Sequence, residues 1–133
     1  NEWFESFIDT SDEWIRERTG IRERHYALDG QTTSDLATDA TRRALETAAI
    51  APEQIDLLVC ATLTGDTPIP STAVWVQRKL GITAPAFDVN AACAGFSYAL
   101  STATAFIESG QAETVVVMGA DELPRPVDLR AVR

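Results

Sequence analysis

The alternation of apolar and helical segments predicts an α/β fold with a mainly parallel sheet covered by helices. Three runs of strand length, residues 55–62, 85–89 and 114–120, are separated by segments of helical periodicity. The first and last runs are almost continuously apolar, which is typical of parallel strands covered on both faces. Helices that alternate with such strands favour one parallel sheet with right-handed crossovers.

Capping signatures mark the first two predicted helices. The first has Thr10 as its N-cap, Glu13 at the third helical position, and Gly20 as its end. The second opens at Thr32 and runs to about Ala49. Its apolar stripe is expected at four positions of helical spacing: Leu36, Ala40, Ala44 and Ala48.

Two further helices follow the first and second strands. One is capped by Ser71 and ends at Gly81, and its shared face consists of Ala73, Val76 and Leu80. The other ends near Gly110, and its apolar positions are Phe96, Leu100, Ala103 and Ile107.

Cys93 falls at the turn between the second strand and the last helix, at or just before the first helical residue. The helix dipole and the free N–H groups at such a position favour a thiolate over a thiol. Small neighbours in residues 91–95 leave room for a substrate beside the sulfur. Spacing alone leaves two readings open, a nucleophile and a small buried hydrophobe. Cys60, inside an apolar strand, is read as a core residue.

Length and charge limit the possible classes of protein. The 133 residues suffice for one domain with a core, predicted over 1–123, with an irregular tail at 124–133. A net charge of −9 argues against a nucleic-acid partner, and no apolar run reaches the length of a membrane span. No signal peptide is visible, and the two cysteines do not suggest a disulfide framework, so a cytoplasmic location is expected.

Two segments of the chain, in the order in which they follow one another, resemble two motifs of one enzyme family. Residues 88–96 (DVNAACAGF) resemble the nucleophile motif of β-ketoacyl-[acyl-carrier-protein] synthase III, a condensing enzyme. Residues 9–15 (DTSDEWI), followed by 18–24 (RTGIRER), resemble the coenzyme A-binding segment of the same family. The resemblance implies a thiolase-like fold, of which residues 1–123 represent the N-terminal half of a duplicated α/β/α/β/α architecture.

The resemblance also implies a reaction and a site. Cys93 would take an acyl group from acyl-CoA, and condensation with malonyl-acyl carrier protein would start fatty acid or polyketide synthesis. Trp14 and Arg18 match residues that sandwich the adenine of coenzyme A, and Thr19 matches a position contacting the same nucleotide. Ile69 matches a residue that reaches across a homodimer into the partner's acyl pocket. Acyl-CoA is thus a substrate, and neither a permanently bound cofactor nor a metal site is predicted.

Other readings remain open from the sequence. The family's catalytic His and Asn belong to its second half, and the single histidine here, His25, does not match that position. The chain could therefore be a non-catalytic acyl-CoA-binding or dimerisation module of the same fold. A cysteine hydrolase would need a base that His25 is poorly placed to provide. Without the resemblance, Trp14 would be read as the core anchor of a short helix.

Overall fold

The computed structural model describes residues 1–122, which form two compact units, Asn1–Leu28 and the segment that begins at Asp29. The predicted tail at 124–133 lies outside the described residues. None of the helices found in residues 1–122 combines the length and the apolarity needed to cross a membrane.

The first unit contains helices α1 (Glu2–Glu5) and α2 (Asp12–Thr19). The sequence reading missed α1, a single turn. The predicted N-cap of α2 at Thr10 was wrong by one residue, because Ser11 Oγ accepts the Trp14 N–H at 3.1 Å. The Glu5 carboxylate of α1 accepts the N–H of Asp12 at 2.6 Å. A second N–H group at the start of α2, which has no acceptor within the helix, is thus hydrogen-bonded from outside it. The end of α2 at Gly20, with φ of 72°, is as predicted.

A three-stranded parallel sheet organises the second unit. Strands β1 (Leu57–Ala61), β2 (Ala86–Val89) and β3 (Val115–Gly119) lie in the order β2-β1-β3. Every residue of the central strand β1 is buried. The prediction of a parallel sheet is therefore confirmed, with strands one to three residues shorter than expected. Burial on both faces holds for β1, whereas β2 and most of β3 are half-buried because they lie on either side of it.

Three helices cover this sheet. Helices α3 (Thr33–Ala48) and α4 (Thr72–Leu80) pack on the face that carries Leu58 and Cys60. Helix α5 (Gly95–Glu108) packs on the opposite face, which carries Leu57 and Val59. Two single turns of 3₁₀ helix, Pro52–Gln54 and Ala92–Ala94, precede β1 and α5.

The predicted stripe of α3 was wrong. Ala40, Ala44 and Ala48 are exposed, and Leu36 is only half-buried. The buried face instead carries a mixture of polar and apolar residues: Thr33, Ser34, Ala37, Thr38, Thr41 and Leu45. Thr38 and Thr41 can be buried because their hydroxyls donate to backbone carbonyls one turn earlier, as Thr41 does to Ala37 at 2.7 Å. The hydroxyl of Thr33 donates instead to the carbonyl of Thr64. The capping box at Thr32 is present as predicted.

The predicted stripe of α5 was also wrong in part. Of its four positions only Ala103 is buried, whereas Phe96, Leu100 and Ile107 are about half exposed. The buried residues on the face that meets the sheet are small: Gly95, Ala99 and Ala103. Small residues let the helix backbone approach the strands closely, and the half-buried Phe106 packs against the same face of the sheet. The face of α4 was predicted correctly, with Ala73 and Val76 buried and Leu80 half-buried.

Candidate active site

Cys93 lies in the single 3₁₀ turn Ala92–Ala94, directly before the first residue of α5. The side chain is exposed. A nucleophile must be accessible to its substrate, whereas a core cysteine is buried. Ala92 adopts a left-handed backbone conformation with φ of 48°, which is uncommon for a residue other than glycine. The chain thus leaves β2 through a sharp turn, and the buried-hydrophobe reading of Cys93 does not hold.

Close packing beneath the turn fixes its position. The carbonyl of Val89, at the end of β2, accepts the N–H of Thr62 at 3.3 Å. A Cβ atom built on Gly95 would lie 3.3 Å from Ala61 Cβ and 3.7 Å from Val89 O. Glycine at this position therefore allows the start of α5 to approach the carboxyl ends of two strands. Cys93 consequently lies beside the edge where ligands bind in open parallel sheets.

Cys60, unlike Cys93, is not accessible to a substrate. It is fully buried within β1. Burial raises the pKa of the Cys60 thiol from 9.0 to about 12, and the negative charge of Asp88 is the second-largest cause of this increase. Cys60 is therefore a protonated core residue, in agreement with its reading from the sequence.

Asp88 has a structural function that the sequence reading missed. Its carboxylate accepts the N–H groups of Thr72 and Ala73, at 2.7 and 2.8 Å, and so caps α4 from the neighbouring strand. Ser71, the predicted cap, is the N-cap residue by position, but its side chain makes no capping hydrogen bond. An acidic residue inside an apolar strand indicates in the sequence that hydrogen-bond donors lie nearby, because a half-buried carboxylate requires them.

Ile69 projects from the loop that joins β1 to α4 and is 89% exposed. The beginning of this loop is fixed by Asp121, whose carboxylate accepts the N–H groups of Leu63 and Thr64 at 2.7 and 3.2 Å. Asp66 in turn accepts the Ser34 N–H at 2.8 Å. An exposed isoleucine on an anchored loop is an available apolar contact rather than part of the core of this unit.

The predicted nucleotide-contacting residues lie in the first unit, on α2. Trp14 is 52% exposed, and the guanidinium carbon of Arg18 lies 5.3 Å from the centre of its ring. Ile15, not Trp14, is the buried residue of this helix, so the core-anchor reading of Trp14 is not supported. The two planar groups are one turn apart and are both accessible for stacking.

The Thr19 hydroxyl is engaged within its own segment. It donates to the carbonyl of Ile15 at 2.7 Å and accepts the N–H of Ile21 at 3.1 Å. These bonds stabilise the last turn of α2 and leave part of the acceptor capacity of the oxygen unused. His25, also in the first unit, is exposed.

Comparison with known proteins identifies the family. The profile of 3-oxoacyl-[acyl-carrier-protein] synthase III matches residues 87–133. The β-ketoacyl-[acyl-carrier-protein] synthase III of Xanthomonas campestris is 55% identical over 129 residues, which are 96% of this chain and 40% of the relative. The enzyme of the same name from Thiobacillus denitrificans is 57% identical over 93% of this chain and 40% of its own length.

Solved structures give the same result. The 3-oxoacyl-[acyl-carrier-protein] synthase III of Aquifex aeolicus matches with a TM-score of 0.79 and 48% identity, over 92% of this chain and 40% of that one. The priming β-ketosynthase of the R1128 polyketide pathway matches with a TM-score of 0.78 and 40% identity, over 94% and 38%. The chain thus spans about 40% of the length of the relatives it matches. It has the thiolase-like fold and belongs to the β-ketoacyl-[acyl-carrier-protein] synthase III family, whose N-terminal part it represents.

Proposed function

We propose that this chain supplies the acyl-accepting half of a β-ketoacyl-[acyl-carrier-protein] synthase III. Cys93 takes the acyl group from acyl-CoA, and the complete protein condenses it with malonyl-acyl carrier protein to start fatty acid or polyketide synthesis. The observation that carries this proposal is the exposed thiol of Cys93, held in a tight turn at the start of α5 within the family's nucleophile motif.

The first step follows from the chemistry of a thiol at that place. The Cys93 thiolate attacks the carbonyl carbon of the acyl thioester, and the carbonyl oxygen becomes an oxyanion. A backbone N–H group at the start of a helix stabilises such an oxyanion if it has no acceptor, because it lies at the positive end of the dipole. The N–H groups of Ala94 and Gly95 already donate to the carbonyls of Ala91 and Ala92, so the proposed donor at this turn is the N–H of Cys93 itself. The carbon–sulfur bond to coenzyme A then breaks, and its thiolate leaves and takes up a proton. The acyl group remains as a thioester on Cys93, with no permanently bound cofactor.

Trp14, Arg18 and Thr19 are the proposed contacts for the nucleotide end of coenzyme A. The Trp14 indole and the Arg18 guanidinium lie against each other, one helical turn apart. When these two side chains move apart, each can stack on one face of a purine that enters between them. Ile69 is the proposed apolar contact of the acyl chain, reached across a homodimer.

Condensation needs groups that these 133 residues lack. The only histidine of the chain is His25, in a segment that does not match the family's catalytic histidine. We therefore propose that the His and Asn that assist loss of carbon dioxide come from outside this chain, and that the chain alone loads an acyl group without condensing it. A cytoplasmic location is proposed because an exposed free thiol suits a reducing compartment.

Acyl loading tests this function directly. The chain is incubated with acetyl-CoA, digested and analysed by mass spectrometry, beside a full-length relative as positive control. One acetyl group on the Cys93 peptide and none on the Cys60 peptide is expected, and Cys93→Ser abolishes the label. Absence of loading while coenzyme A still binds would instead support a non-catalytic acyl-CoA-binding module. Loading on Cys60 would contradict both readings.

Association is tested separately by light scattering during size exclusion. The exposed apolar side chains of the second unit, among them Ile69, Phe96 and Leu100, favour a dimer or a larger assembly. A monodisperse monomer with a sharp cooperative melt would contradict the homodimer.

A further inference from the structure

The start of α4 depends on a carboxylate from another strand. Thr72 and Ala73, its first two residues, are both fully buried, so their N–H groups cannot turn to water. The Ser71 side chain makes no capping bond, whereas both N–H groups donate to the carboxylate of Asp88. A negative charge at this end of a helix is favourable as well.

The loop that carries Ile69 depends on the same helical turn. Thr67 Oγ1 donates to the carbonyl of Pro70 at 2.9 Å and accepts the indole N–H of Trp75, in the first turn of α4, at 2.9 Å. A Cβ atom built on Gly65 would lie 2.8 Å from the hydroxyl oxygen of Thr72, so the backbone of Gly65 packs closely on this side chain. Both ends of the loop thus rest on the beginning of α4, and Ile69 projects from between them.

Asp88 also belongs to the segment that leads to Cys93. Phe87 and Val89, its neighbours in β2, pack toward α5, while Asp88 is paired in register with Cys60 and faces α4. Residues 90 and 91 then connect β2 to the Cys93 turn. One side chain therefore ties the segment of Ile69 to the segment of Cys93.

We propose that Asp88 is a positioning residue. By fixing the start of α4, its carboxylate sets where the Ile69 loop projects from the unit, and so sets which acyl chains are accepted in the partner's pocket that Ile69 reaches across the homodimer. This rests on the proposed function, in which Cys93 accepts the acyl group and Ile69 contacts it. The competing explanation is that Asp88 is only a cap that stabilises α4.

A second substitution separates the two explanations. Asp88→Ala removes both the cap and the tie between β2 and α4. Adding Ser71→Asp restores a side-chain acceptor at the N-cap of α4 but leaves the tie to β2 broken. Val76→Ala serves as the stability control, because Val76 is fully buried on α4 and its apolar side chain donates no hydrogen bond to the carboxylate.

Amide hydrogen exchange reads the loop without any catalytic assay. Loss of the tie between β2 and α4 is expected to accelerate exchange over residues 65–71 about fivefold in Asp88→Ala. The same acceleration is expected in Asp88→Ala/Ser71→Asp, but not in Val76→Ala beyond its change in global stability. Restoration of slow exchange by Ser71→Asp would show that Asp88 is only a cap, and would overturn the proposal.

Selectivity gives a readout that a purely structural cap would not move. The ratio of Cys93 loading rates with acetyl-CoA and octanoyl-CoA is measured for the same variants. A changed ratio is expected in both variants that lack Asp88, and an unchanged one in Val76→Ala. A ratio that stays at the wild-type value while loop exchange rises overturns the proposal. Failure of the wild-type chain to load either thioester refutes the proposed function instead, and amide exchange still decides whether Asp88 orders the loop.

Discussion

Removing the charge of Asp35 should destabilise the second unit by about 1 kcal/mol at neutral pH. The carboxylate accepts a hydrogen bond from Lys79 Nζ at 2.7 Å and another from the backbone N–H of Thr32 at 3.0 Å. The bond from Lys79, then that from Thr32, lowers the pKa of Asp35 from 3.8 to about 2. That difference would be worth roughly 2 kcal/mol for a fully desolvated group, and exposure of 42% of the side chain reduces it to about half through solvent screening.

The sign of the pH dependence follows from the direction of the pKa change. Because the pKa of Asp35 is lower in the folded than in the unfolded chain, its stabilisation is fully present above the ordinary carboxyl range. It is lost as the pH falls from about 4 toward 2. Asp35→Asn keeps an acceptor for the Thr32 N–H and removes the charge. The free energy of unfolding of the variant should therefore approach that of the wild type at low pH.

Urea unfolding at several pH values between 3 and 7 measures the effect. Asp39→Asn is the matched control, because Asp39 lies on the same helix and pairs with Arg42 at 2.8 Å, with both side chains half exposed. It should change stability by less than about 0.5 kcal/mol. An equal loss in both variants, or a loss from Asp35→Asn that is as large at pH 3 as at pH 7, would refute the reasoning.

Two further substitutions test the backbone and the nucleotide site. Ala49→Gly, at the C-cap of α3 with φ of 54°, should raise the free energy of unfolding by about 0.5–1 kcal/mol in a denaturant titration, because glycine adopts the left-handed region without strain. Ala48→Gly, one residue earlier inside the helix, should lower it, and a gain there would contradict the argument. Trp14→Ala should weaken coenzyme A binding by about 1–3 kcal/mol in calorimetry while leaving the melting curve intact. Trp3→Ala is its control, since Trp3 is similarly exposed but packs on Phe4 and Phe7, and an equal loss of affinity would count against a stacking site.

The sheet could be predicted because its signal is local and strong. The runs around Val59 and Val117 are apolar without interruption, and such runs are typical of parallel strands covered by helices. The turn at Cys93 could be predicted for the same reason, since a buried strand, small residues and a helix follow one another directly. The ends of α2 and α4 at glycines with positive φ were equally readable.

The buried face of α3 could not be read from hydrophobicity. Ser34 and Thr41 are buried because hydrogen bonds satisfy their hydroxyls, and Ser34 does so partly through Asp66, 32 residues away. The capping of α4 by Asp88 is likewise a tertiary contact, across 16 residues of sequence. Hydrophobic periodicity ranks residues only by the polarity of their own side chains, so it assigns buried polar residues such as these to the surface. The partner that makes burial favourable appears only once the strands are paired.

The misread stripe of α5 follows from a different cause, which bears on the fold. Small residues, such as Gly95 and Ala99, meet the sheet, and the large apolar side chains of Phe96 and Leu100 remain half exposed. A helix that is apolar on more than one side is suited to a position between two layers rather than at a surface. In the α/β/α/β/α arrangement implied by the family, such a central helix lies between two sheets. The predicted stripe of α5 was therefore wrong at its three large residues, because an apolar side chain at helical spacing need not face the sheet. The exposed side of α5 has the composition of a second packing face.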